Sequence, residues 1–120
     1  MSTLDRAAEL KSRTKAFAIH VVRLYRSLPR STDAQVLGKQ LLRSGTSVAA
    51  NYRAACRSRS KAEFISKMSV VLEEADETAF WLELMAETDT VAPERTQALL
   101  KESNELAAIF GASIRTAKTS

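Results

Sequence analysis

The 120-residue chain is 45% hydrophobic and 27% charged, with only three glycines and two prolines. So few turn residues exclude an all-β sandwich and favour one helical domain with short loops. The net charge of +4 hides a split: residues 1–61 hold 13 Lys and Arg against 3 Asp and Glu, and residues 62–120 hold 5 against 11, balances of +10 and −6.

The first predicted helix covers about residues 4–28. Leu10, Thr14, Phe17, Val21, Leu24 and Leu28 recur at steps of four and three, the 3.5-residue period of a bundle seam. Pro29 stops this helix, and Ser31, Thr32 or Asp33 can cap the next. Arg23, Arg26 and Arg30 cluster at its end, where basic residues also offset the helix dipole. His20 reads as a partly buried polar residue.

The second helix, about 33–57, carries the same steps through Leu37, Leu41, Ser44, Val48, Asn51 and Ala55. Ser44, Gly45, Ser47, Ala49 and Ala50 offer little side-chain volume. Either a neighbouring helix approaches closely there, or bulky residues such as Phe17 and Phe110 fill the space. Asn51 on the seam reads as a buried, hydrogen-bonded residue that fixes register. Arg43, Arg53, Arg57, Arg59 and Lys61 form a basic stretch along this helix and the loop after it, with Ser58 and Ser60 interleaved. Arginine forks and hydroxyls suit phosphate oxygens, so RNA or DNA is one expected partner. Only Tyr25 and Tyr52 lie nearby, too few for a base-stacking platform. Binding would therefore run through backbone charge.

Ser60-x-x-Glu63 reads as a capping box that starts the third helix, about 61–88. Its seam is Phe64, Met68, Val71, Ala75, Thr78, Leu82 and Met85. On a helical wheel Val70, Phe80, Trp81 and Leu84 fall on the far side from that seam, among Glu73, Glu74 and Glu77. A second apolar face with aromatic anchors and an acidic rim marks a contact surface. It suits the basic hairpin of another copy, a heterologous contact that can close into a ring. The alternative is that Trp81 covers the edge of its own bundle, against the first helix. The fourth helix, about 92–117, has Pro93 in its first turn and carries Leu99, Ser103, Leu106, Phe110, Ser113 and Ala117.

Four such helices joined by short loops specify one all-α domain over residues 1–120, an antiparallel up-down-up-down four-helix bundle. No catalytic constellation is present, so no enzymatic activity is expected. A di-metal bundle site needs Glu-x-x-His pairs, and His20, the only histidine, has no Glu three residues before it. Cys56 lacks a nearby histidine base and suits a small packing role. No cofactor or metal is expected. A single cysteine and no apolar stretch of membrane-spanning length fit a soluble cytoplasmic protein without a membrane partner.

Three stretches resemble one family. Gln40 to Tyr52, read Q-L-L-R-S-G-T-S-V-A-A-N-Y, is similar to the Q-L-R-R-A-x-x-S-I-x-x-N-I signature of the 23S rRNA-intervening sequence proteins. Ser60 to Phe64 is similar to their S-x-x-x-F start of helix three, and Glu73 to Leu82 to their A-x-x-S-x-x-E-x-x-x-W-L stretch. The likeness covers about residues 10–115. Where the family often continues I-A-E-G after the asparagine, Arg53-Ala54-Ala55 follows Tyr52, and the glutamate and glycine are missing. The resemblance implies an antiparallel four-helix bundle, a homopentameric ring and no known enzymatic activity. The similar accessory proteins of diversity-generating retroelements are basic pentameric bundles that bind nucleic acid and a reverse transcriptase. The two functional readings are an oligomeric bundle that binds RNA or DNA by charge, and an assembly scaffold whose partner is another protein.

Overall fold

The computed structural model describes residues 2–120. Four helices run through them: α1 (Thr3–Arg26), α2 (Thr32–Ala55), α3 (Lys61–Glu87) and α4 (Pro93–Thr119). Five residues separate each helix from the next, too few for anything but an antiparallel return. The bundle measures 47 × 23 × 19 Å, close to the length expected of helices with 24 to 27 residues. Consecutive helices pack along their length, α1 and α3 lie diagonally opposed, and the side where α1 meets α4 is the slackest.

The helix ends follow from local chemistry. Ser2 and Asp5 form a reciprocal capping box at α1. At α3 the expected box is half made. Ser60 Oγ accepts from the Glu63 N–H at 3.1 Å, but the Glu63 carboxylate turns along the helix to pair with Lys67 at 2.9 Å. Pro93 opens α4 in its first turn. α3 ends with Asp89 in the left-handed region, φ 55°. The Asp89 N–H donates to the Ala86 carbonyl and the Thr90 N–H to that of Met85, a Schellman motif with aspartate where glycine usually sits.

The seam residues form the core. Phe17, Val21, Leu41, Val48, Met68, Val71, Leu82, Met85, Leu106 and Phe110 are essentially sealed from solvent, each contributing roughly 1.5–3 kcal/mol of hydrophobic stabilisation. Late in α4 the buried position slides from Ser113 to Ile114, because an unstrained helix with about 3.6 residues per turn drifts off a strict 3.5 repeat. Hydroxyls on the seam are satisfied within the bundle, some in their own helix and some across to a neighbour. Thr14 donates to the Leu10 carbonyl at 2.8 Å, and Ser103 reaches across to the Ala75 carbonyl at 2.7 Å. Thr78 donates to the Glu74 carbonyl at 2.7 Å and lies 2.9 Å from the Ser44 hydroxyl. None leaves a buried orphan.

The small residues of α2 admit α1 at close range. A Cβ on Gly45 would lie 2.8 Å from both methyls of Val21, and one on Gly38 would lie 2.5 Å from Leu28 Cδ1. At the other end of the hairpin, Tyr52 stacks on Phe110 with ring centroids 5.8 Å apart. Two expectations are corrected. Asn51 is half-buried and donates to Ser47 of its own helix, to the carbonyl at 2.9 Å and the hydroxyl at 2.7 Å, so it does not fix register between helices. His20 is exposed, because the seam passes through Phe17 and Val21 and turns position 20 outward.

Candidate nucleic-acid interface

Val21 packs on Gly45, so residues ten earlier on α1 and ten later on α2 come level in this antiparallel pair. That register brings Lys11 and Lys15 opposite Arg53 and Arg57. The four cations border a cleft of about 540 Å³. Its floor is small: Ser12, Thr46, Ala49, Ala50 and Cys56 line it. No carboxylate lines the cleft, and no acidic group among the described residues pairs with any of the four cations. Lysines and arginines on each wall are spaced by one helical turn, about 6 Å. Arg53 and Arg57 also face the carbonyl end of α2, where positive charge is favourable.

Cys56 is half-buried on the cleft floor. Burial, and next the neighbouring Cys56 thiol, push the Tyr52 phenol above its ordinary pKa, so Tyr52 stays neutral and packs as an aromatic.

The other basic candidates lie elsewhere. Arg43 bonds Glu74 of α3 at 3.3 Å and also Glu77 of α3. Its guanidinium holds the Glu77 carboxyl below the usual carboxylate range. Arg43 is thereby tied to the acidic helix of its own chain. Arg59 stands exposed in the loop before α3. The Lys61 amino group donates to the Ser120 carbonyl. The cleft therefore unites Arg53 and Arg57 with Lys11 and Lys15, which sequence reasoning missed. The signal was available: both lysines sit one turn apart on the flank of α1 that the glycines of α2 draw inward.

The opposite side of the bundle carries the apolar candidates. Val70 and Phe80 are 41% and 52% exposed, large values for apolar side chains on a helix whose seam is already buried. Trp81 and Leu84 are half-buried. Phe80 and Trp81 meet edge to face, centroids 5.0 Å apart, and the indole N–H donates to Glu77 at 3.2 Å. Trp81 does rest partly on its own core, but α3 makes no close approach to α1, which corrects the alternative that placed Trp81 against the first helix. α1 and α4 are joined by a different clasp. Arg13 forks onto Glu102 at 2.6 and 2.7 Å and reaches Glu105 at 2.8 Å. The guanidinium holds Glu102 below its ordinary pKa.

Among the described residues, no helix is long and apolar enough to cross a membrane. The model of the 23S rRNA-intervening sequence protein family matches residues 6–112. A crystal structure of a protein of unknown function from the S23 ribosomal protein family of Bacteroides thetaiotaomicron is similar to this chain. It is 38% identical, covers 87% of this chain and 96% of its own, and superposes with a TM-score of 0.81. No curated protein matches.

Proposed function

The chain belongs to the 23S rRNA-intervening sequence protein family, and from that premise we propose that it is a non-enzymatic, ring-forming bundle that binds RNA or DNA through the α1–α2 cleft. The observation that carries this reading is a cleft bordered by Lys11, Lys15, Arg53 and Arg57 with no carboxylate on its walls. Cations spaced by one helical turn address a charge that repeats along a strand. The small floor leaves room for a phosphate-sugar backbone and offers no aromatic platform for bases. Contact is therefore sequence-tolerant and electrostatic. Five copies per ring is the number that the family resemblance implies, and the exposed apolar face of α3 supports self-assembly. As part of the same reading the protein works in the cytoplasm, where a lone thiol stays reduced.

The test is fluorescence anisotropy of labelled RNA and DNA oligonucleotides across salt concentration. Four phosphate contacts give a slope of log K against log salt of about −3. Arg53→Ala with Arg57→Ala removes two contacts, roughly halves the slope and lowers affinity equally for different sequences. A double variant that binds like the wild type overturns the assignment of the cleft. Absence of binding even at low salt leaves the scaffold reading in its place.

A further inference from the structure

The bundle shows two apolar stripes that its own fold leaves uncovered, and their charges are opposite. On α1, Ala18, Ile19 and Val22 form a shallow trough of about 330 Å³ bordered by Lys15, Arg23 and Arg26. Ile19 is 41% exposed, and no acidic residue occurs between Leu10 and Thr32. On α3, Val70, Phe80 and Leu84 stand beside Glu73, Asp76, Glu83 and Glu87, and no Lys or Arg occurs between Met68 and Glu87. Those four carboxylates have no ion-pair partner among the described residues. α1 and α3 are diagonal in the bundle, so one molecule cannot bring the two stripes together.

We propose that the occupant of the α1 trough is the α3 face of a second copy of this chain, with Phe80 seated against Ile19 and Val22, and the α3 carboxylates set against Arg23 and Arg26. This names the interface of the ring and rests on the self-assembly part of the reading above, not on nucleic-acid binding. Complementary charge selects head-to-tail pairing: two α3 faces repel each other, as do two α1 troughs. The contact is heterologous, so its angle decides between a ring and a filament. Lys15 lines the trough and the α1–α2 cleft alike, so the α1 face lies on the flank of α1 nearer α2.

The experiment is sedimentation of the full chain as two single variants and their mixture. Ile19→Glu breaks the trough and keeps the α3 face, whereas Phe80→Glu does the reverse. Both positions are exposed, so the cores remain intact, and a circular dichroism melt checks this. Wild type is expected as a multimer, each variant alone as a 13.2 kDa monomer, and the equimolar mixture as a species of twice that mass that grows no further. Exchanging charges, Arg23→Glu and Arg26→Glu with Glu83→Lys and Glu87→Lys in one chain, restores assembly that either pair alone abolishes. A wild type that is monomeric overturns this contact and the ring together. A wild type that assembles while Ile19→Glu or Phe80→Glu assembles equally well overturns the contact and leaves the ring standing. A mixture that stays monomeric overturns head-to-tail pairing.

Discussion

The two hairpins of this bundle are alike inside and opposite outside. α1–α2 and α3–α4 both bury residues at steps of four and three, and both satisfy seam hydroxyls on backbone carbonyls. Their packing differs in closeness: α1 rests on the bare backbone of Gly45, whereas Gly111, the one glycine of the second hairpin, meets only the Arg115 side chain of its own helix. Their surfaces differ in sign, +10 over residues 1–61 against −6 over residues 62–120. A bundle needs only the inner pattern to fold. The outer charges that the ionic clasps leave unpaired are therefore open to other contacts, which the readings proposed above assign to phosphate strands on one hairpin and to another copy across both.

That comparison can be broken at the points where the hairpins differ. The largest effect is expected from Gly45→Ala. The new methyl meets both methyls of Val21, which is β-branched and cannot swing aside, so urea unfolding should show a loss of about 1–3 kcal/mol. Gly38→Ala meets the flexible end of Leu28 and, at 3.1 Å, the edge of the Tyr25 ring, and a gain in helix propensity of about 1 kcal/mol offsets part of the crowding, so its loss should be the smaller. Equal losses at both glycines would remove the special role of the Gly45 approach.

Next come the ionic clasps that join the hairpins. Arg43 links α2 to Glu74 and Glu77, and Arg13 links α1 to Glu102 and Glu105. Glu77 and Glu102 have folded-state pKa values below their ordinary ones. Their contribution is present above the unfolded value of about 4.3 and is lost as pH falls through the lower folded values. Stability should hold flat from about pH 7 to 5 and decline below about 4 in acid titrations followed by denaturant melts. Glu77→Gln with Glu102→Gln should flatten the decline, and an unchanged profile would assign it to other carboxylates. Arg13→Ala alone should cost about 1 kcal/mol at low salt and less at high salt. The smallest change runs in the other direction. Asp89→Gly relieves a left-handed residue and should raise stability by roughly 0.5–1 kcal/mol, measurable as a shift of Tm.

The fold was legible because its signal is periodic: Phe17, Leu41, Leu82 and Phe110 lie where steps of four and three put them. What escaped were choices between partners of equal chemistry. Glu63 could cap Ser60 or pair with Lys67, and Asn51 could reach another helix or the neighbouring turn. Spacing along one helix does not decide such contests. The basic site was legible in residue type and only half legible in membership. Arg43 leaves it because Glu74 and Glu77 lie 31 and 34 residues away in sequence yet adjacent in the bundle. Lys11 and Lys15 join it because the Val21–Gly45 approach sets the register of α1 on α2.

The slack side between α1 and α4 makes the molecule a folded strip of helices more than a closed cylinder, and Arg13 is the latch on its open edge. Amide exchange should reach the facing turns of α1 and α4 before those of α2 and α3, since partial opening there requires no rupture of the better-packed contacts. The latch is ionic, so added salt should hasten this breathing while leaving the apolar seam unaffected. The strip would peel at its edge and bare the rings of Phe17 and Phe110 before it unfolds as a whole.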